Sequence, residues 1–169
     1  MKHYPTSGEN SIRRAEPLDA LDVEECVRAA YAKYLLRMNK PPGPMLADYG
    51  AVIAQHQVWV VDDQEVCAAV PVLIPEQEYL LLENIAVHPR QQGRGLEHAL
   101  MAFAETEAMK QGFGALRLYT NERMTENIAL YTGLGYEETG RMVQDGYSRV
   151  FMRKCLTTDS SPEDENLNV

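Results

Sequence analysis

Arg90-Gln91-Gln92-Gly93-Arg94-Gly95 joins an apolar stretch, Tyr79 to His88, to a helical one, Leu96 to Gln111. Two glycines at this spacing let the backbone turn tightly with its amides pointing inward. The helix start that follows adds unpaired N–H groups and positive dipole character. Together these make a concave anion site suited to a pyrophosphate, and Arg90 and Arg94 add full positive charge. A plain loop that uses glycine to enter a helix fits the same spacing. A Walker A loop does not, because no Gly-Lys-Ser/Thr follows. A Rossmann fingerprint does not, because His98 stands where its third glycine is needed.

Glu83 lies in an apolar segment, with Leu80-Leu81-Leu82 before it and Ile85 after it. Burial there would raise the pKa of a carboxylate and suit it to proton abstraction. Binding an amine, or pairing with a surface Lys or Arg, are the other roles open to it. Strand alternation puts Asn84 on the opposite face, so only one of the two is expected to face a common cleft.

The elements that must position these groups follow from periodicity and turn chemistry. Ser11 to Glu16 reads as a first strand. Asp19 to Arg37 reads as a helix, with Ala20, Val23, Val27, Ala30, Tyr31 and Tyr34 at helical spacing. Pro41-Pro42-Gly43-Pro44 ends it, and Met45 to Gln55 is a second helical stretch. Val58 to Val61 and Val66 to Ile74 are strands joined by a turn at Asp62-Asp63-Gln64. Pro71 inside the second of these predicts a bulge or an edge position. Tyr79 to His88 is a longer strand, Leu96 to Gln111 a helix, and Ala115 to Thr120 a strand. Glu126 to Leu134 is a short helix closed by Gly135. Tyr136 to Met142 and Tyr147 to Lys154 form a hairpin around the turn pair Asp145-Gly146. The strands at 79 and 115, linked through a helix, should run parallel with a right-handed crossover. The expected fold is α/β (α+β), a mixed, mostly antiparallel sheet of six to seven strands with helices on both faces.

At this point the sequence resembles the GNAT superfamily of N-acetyltransferases. Its pyrophosphate motif, Arg/Gln-x-x-Gly-x-Gly/Ala between a strand and a helix, is matched by Arg90, Gly93 and Gly95. Ile85-Ala86-Val87-His88-Pro89 looks like the end of the family's fourth strand. Asn127-Ile128-Ala129-Leu130-Tyr131, followed by Leu134-Gly135-Tyr136, resembles its second acetyl-CoA motif. The match is sharp over 79–136 and looser over 12–156.

The resemblance implies a central parallel pair splayed to admit acetyl-CoA. Ile85, Ala86 and Val87 would line the pantetheine arm, with the Val87 amide as an oxyanion donor. Amides from Gln92 to His98, with Arg90, Gln91, Gly93, Arg94, Gly95 and Leu96 around them, would take the pyrophosphate. Tyr131 matches the family's general acid, and a phenol stays protonated at neutral pH. Glu83 matches a strand glutamate that serves as base in polyamine-type members. Asn127 is expected either to hydrogen-bond the cofactor or to cap its helix. Position 97 is usually small in this family and here is Glu; it is expected to point outward or to pair with Arg94. Tyr31, Tyr34, Met38, Met45, Asp48, Tyr49 and Asn84 are candidates for an acceptor pocket with one acidic anchor, and helical spacing makes many of them equally good core residues. His88 and His98 have no catalytic role in this reading.

Composition sets the outer bounds. A chain of 169 residues with 45% hydrophobic residues suits one folded domain, expected over 11–156, with an extension at 1–10 and an acidic tail at 157–169. The net charge of −9 and the lack of a Lys/Arg cluster argue against nucleic acid as partner. No apolar run approaches a membrane span. Cys26, Cys67 and Cys155 are far apart and odd in number, which fits neither a disulfide framework nor a metal site and points to a reducing cytoplasm. The expected partners are acetyl-CoA and a small amine, with a homodimer as the expected assembly. Acetylation of a protein amine and a weak acyl-CoA-binding module are the alternatives.

Overall fold

A seven-stranded sheet carries every other element. The computed structural model describes residues 11–64 and 66–157. The expected extension at 1–10 and, apart from Thr157, the acidic tail lie outside those residues. The strands are β1 (Ser11–Arg14), β2 (Gln57–Asp63), β3 (Val66–Pro75), β4 (Leu80–Val87), β5 (Ala115–Asn121), β6 (Glu137–Gln144) and β7 (Tyr147–Cys155). The helices are α1 (Ala20–Tyr31), α2 (Tyr49–Gln55), α3 (Leu96–Lys110) and α4 (Thr125–Gly133). The strand order is β1-β2-β3-β4-β5-β7-β6.

All neighbours pair antiparallel except β4 and β5, which α3 connects and which run parallel. That pair is short. Leu80, Leu81 and Leu82 face Leu116, Arg117 and Leu118. Beyond these residues β4 continues to Val87 and β5 to Asn121 with no ladder between them. The splay expected from the resemblance is present.

Each sheet face is apolar where a helix covers it. Val23, Val27 and Ala30 of α1 pack with Val58, Val60, Val70, Val72 and Ala86. Met101, Ala104 and Ala108 of α3 pack with Leu73, Leu80, Leu82, Leu116 and Leu118 on the other face. Strand alternation divides the side chains between these two cores. Full burial of each large aliphatic side chain contributes about 1.5–3 kcal/mol, which outweighs the weak intrinsic preferences of these segments.

Two expectations need correction. The helix expected over 19–37 stops at Tyr31 and continues as a 3-10 turn, Ala32–Tyr34. The stretch expected over 45–55 splits into a 3-10 turn, Gly43–Leu46, and α2, because Asp48 adopts an extended backbone and caps α2 by accepting from the Ala51 amide at 3.2 Å. Of the two positions expected for Pro71, a bulge or an edge, the structure has the bulge: β3 lies between β2 and β4, and Pro71 sits beside the register shift at Val72/Leu73.

Candidate active site

The β3–β4 register sets the first feature of the site. Val72 pairs with Asn84 and Leu73 with Leu82, so Glu83 is an extra residue on β4. Such a bulge breaks the alternation and re-aims side chains. The expectation that only one of Glu83 and Asn84 faces the cleft therefore fails. Both line a cavity of about 230 Å³ at the point where β4 and β5 part.

Asn84 is held in a chain of hydrogen bonds. The Tyr31 hydroxyl donates to Asn84 Oδ1 at 2.7 Å. Asn84 Nδ2 donates to the Tyr49 oxygen at 3.2 Å, and Tyr49 donates to the Pro44 carbonyl at 2.7 Å. This chain ties α1, β4 and α2 to the Pro42–Pro44 loop and fixes one wall. Burial raises the Tyr31 and Tyr49 hydroxyls well above the usual phenol value, so both remain donors.

The opposite wall comes from β5, α4 and β7. Tyr119 donates to Glu83 Oε1 at 3.5 Å. Burial, then the Glu83 charge, raises the Tyr119 hydroxyl, while Arg149 pulls it down. The Arg149 guanidinium lies 4.4 Å from the Tyr119 ring centroid and donates to Gln144 Oε1 at 3.0 Å. Tyr131 is 4% exposed and its hydroxyl makes no hydrogen bond among the described residues. Burial raises its pKa, so it stays protonated across the physiological range.

Tyr131 also lines a second, smaller cavity of about 50 Å³ with Ile85, Val87, Gln92, Glu97, Tyr34 and Asn127. The two cavities therefore meet at Tyr131. Tyr34 belongs to this second cavity rather than to the first. Its hydroxyl donates to Asn127 Oδ1 at 3.4 Å and is pushed up to about 12, mainly by burial. Asn127 is the third residue of α4 and supplies no cap bond; its amide donates to the Met124 sulfur at 3.7 Å. The Asp48 carboxylate is used as a helix cap and is not among the cavity residues, so it is not the acidic anchor. Met38 and Tyr49 line the cavity, whereas Met45 packs against the α1 core.

The turn between β4 and α3 takes the conformation its glycines permit. Gly93 has φ of +76° and Gly95 +81°, and a side chain placed at either would meet nothing within 4 Å. The turn leads directly into the N-terminus of α3, where unpaired amides favour an anion. Gln91 donates to Asp63 Oδ2 at 2.5 Å and Gln92 donates to the Val87 carbonyl at 3.0 Å, which anchors the loop to β2 and β4. Arg94 donates to Gln91 Oε1 at 3.3 Å. His88 Nδ1 accepts from the Arg90 amide at 3.2 Å and so shapes the turn. Glu97 departs from expectation. It makes no ion pair with Arg94 among the described residues and instead lines the smaller cavity beside Gln92 and Lys33. It stands in the first turn of α3, and Lys33 and Tyr34 line the same cavity. The open glycine turn, the parted strands and the free Tyr131 hydroxyl fit an acyl-CoA thioester, whereas the Glu97 carboxylate carries the same sign of charge as a pyrophosphate.

An acetyltransferase (GNAT) domain model matches residues 54–138, which include β4, the glycine turn and Tyr131. The chain belongs to the GNAT acetyltransferase family. This GNAT chain is 30% identical to Uncharacterized N-acetyltransferase YjgM of Escherichia coli over 75% of its own length and 81% of that protein's. It is 31% identical to Probable N-acetyltransferase 14 of Xenopus tropicalis over 58% of its own length, and the match spans about half (49%) of that relative. Among solved structures, the PaiA N-acetyltransferase of Thermoplasma acidophilum, in complex with coenzyme A, superposes with a TM-score of 0.74 at 15% identity, over 87% of this chain and 99% of that one. The yncA protein of Salmonella typhimurium, solved with its cofactor acetyl-CoA, gives 0.66 at 20% identity, over 92% and 99%. These likenesses carry the GNAT fold.

Tyr119, Tyr147 and Arg149 complete the lining of the larger cavity of this GNAT chain and were missed in the sequence. Their signal is weak: polar and aromatic residues alternating in β5 and β7, strands that also read as ordinary sheet.

Proposed function

We propose that the chain is an acetyl-CoA-dependent N-acetyltransferase acting on a small primary amine by direct transfer. One observation carries this reading: Tyr131, buried, protonated and without a hydrogen-bond partner among the described residues, stands where the acceptor cavity meets the smaller cavity at the end of β4. The ligands named for two structural neighbours agree with it.

Acetyl-CoA, when bound, supplies an activated thioester. Gln92 to His98, with Arg90 and Arg94, hold its pyrophosphate through backbone amides and charge. Ile85, Ala86 and Val87 offer the edge of β4 that β5 leaves unpaired. Glu83 takes a proton from the acceptor ammonium, since only the neutral amine attacks and a typical alkyl amine has a pKa of about 10. Tyr131 hands its proton to the departing sulfur. The exchange forms an N–C bond and breaks a C–S bond; from ammonium to amide the nitrogen loses two protons, one released to solvent through Glu83 and one that replaces the proton Tyr131 gives to the sulfur. Free thiols at Cys26, Cys67 and Cys155 agree with a cytoplasmic setting, and the exposed edge strand β6, with Met142 and Val143 outward, agrees with a homodimer.

Thiol release from acetyl-CoA across a panel of amines tests the reading. Turnover is expected, and Glu83→Gln is expected to lose most rate at low pH and least near pH 10, where the amine is already neutral. Absence of acetyl-CoA binding overturns the reading. The inward carboxylate of Glu97 favours a second one, a weak acyl-CoA-binding module, which binding without turnover on any amine would support.

A further inference from the structure

Two opposite charges face the acceptor cavity across a single aromatic ring. Glu83 Oε1 accepts from the Tyr119 hydroxyl at one end, and the Arg149 guanidinium stacks 4.4 Å from the same ring's centroid. Both charged groups are half-buried, and neither makes an ion pair among the described residues. Removing two such groups from water costs free energy, and a ligand that brings both countercharges returns it. An amine alone would match Glu83 and leave Arg149 unmatched. The planar guanidinium fork suits a carboxylate, which it can engage through two parallel hydrogen bonds. Most of the remaining lining is apolar, with Met38, Val52, Val72, Leu82, Leu118 and Met124 exposed to the cavity.

We infer that the acceptor is a free amino acid with an apolar side chain. Its ammonium sits at Glu83, its carboxylate at Arg149, and its side chain against Val52, Val72 and Met124, which share the α1 face of the sheet. This rests on the acetyltransferase reading above and makes Arg149 a specificity-determining residue. The carboxylate takes no part in the transfer, so an N-acetyl amino acid leaves with it intact.

The test compares L-leucine, L-methionine and L-phenylalanine, each with its amide and its decarboxylated amine. Thiol release and calorimetric binding are both read. The acids are expected to exceed their amides about 10- to 100-fold in kcat/KM and in affinity, the range of one to two charge-assisted hydrogen bonds. In Arg149→Gln that ratio collapses toward one, chiefly through KM, and Arg149→Lys restores part of it. Gln144→Ala breaks the hairpin contact of Arg149 but keeps the cation, so the ratio persists if the effect is recognition rather than hairpin folding. Equal handling of acids and amides by the unaltered protein overturns the inference, as does an equal loss on both in Arg149→Gln or a failure of all three acids to bind. A binding preference for the acids without thiol release leaves the inference standing and sinks the acetyltransferase reading. Turnover of amines regardless of a carboxylate does the reverse.

Discussion

Tyr131 needs two properties to protonate a leaving sulfur: a retained proton and a free hydroxyl. Burial provides the first, and the absence of a partner among the described residues provides the second. Tyr131→Phe removes only the hydroxyl from a ring packed edge-on against Tyr136 at 6.1 Å, so the fold should tolerate it. Turnover is expected to fall about 100-fold or more, with acetyl-CoA affinity nearly unchanged. Unchanged turnover would remove Tyr131 from the mechanism. Glu97 makes the opposite case, a charge facing the groove where an anion should lie. Glu97→Gln is expected to tighten acetyl-CoA binding about two- to tenfold at low salt, and the gain should fade as salt screens it. Weaker binding in the variant would mean that the carboxylate helps shape the site. The Tyr131 motif was legible in the sequence, whereas the direction of Glu97 was not, because one residue of helical phase decides which way it faces.

At the level of elements, the site depends on two irregularities and a clasp. The bulge at Glu83 turns two consecutive β4 residues into one cavity, and a periodicity of two cannot anticipate it. The clasp is the β6–β7 turn. Tyr147 donates to the Pro41 carbonyl at 2.5 Å, and the Lys40 ammonium donates to the Asp145 carbonyl, so the hairpin holds the proline loop beside the larger cavity. The second irregularity is the left-handed backbone at Gly95, the N-cap of α3. Gly95→Ala meets no steric obstacle, since nothing lies within 4 Å of the added carbon, and its cost is therefore conformational. Stability should drop about 1–2 kcal/mol in urea denaturation. Acetyl-CoA affinity should fall with it if the turn geometry presents the amides; a stability loss with affinity unchanged would separate the turn from the binding site.

For the whole molecule, strand count, connectivity and the parallel pair were readable because hydrophobic periodicity and turn residues act locally and agree with one another. Contacts between distant segments were not. Cys26 and Cys67 lie 41 positions apart and read as unrelated, yet both sit in the α1 core, where the neighbouring Cys26 side chain, then burial, raises the Cys67 thiol. Arg13 likewise gives no sign in the sequence that it clamps the start of α1 to the sheet edge. It donates to Asp19 at 2.8 Å and to Asp62 at 2.8 Å. The guanidinium holds the Asp19 carboxyl below the usual carboxylate range. A carboxyl lowered on folding stabilises the fold above its unfolded value of about 3.9, and that contribution is lost as pH falls through the lower folded value. Arg13 is 43% exposed at its side chain, so solvent screening keeps the pair's contribution at or below about 1 kcal/mol. Asp19→Asn preserves shape and removes the charge. Urea melts at pH 7, 5 and 3 should show the variant less stable at pH 7 and 5, with the gap narrowing at pH 3 as Asp19 of the unaltered protein becomes protonated. A gap that stays constant or widens on acidification would mean that the clamp acts through packing and not through charge.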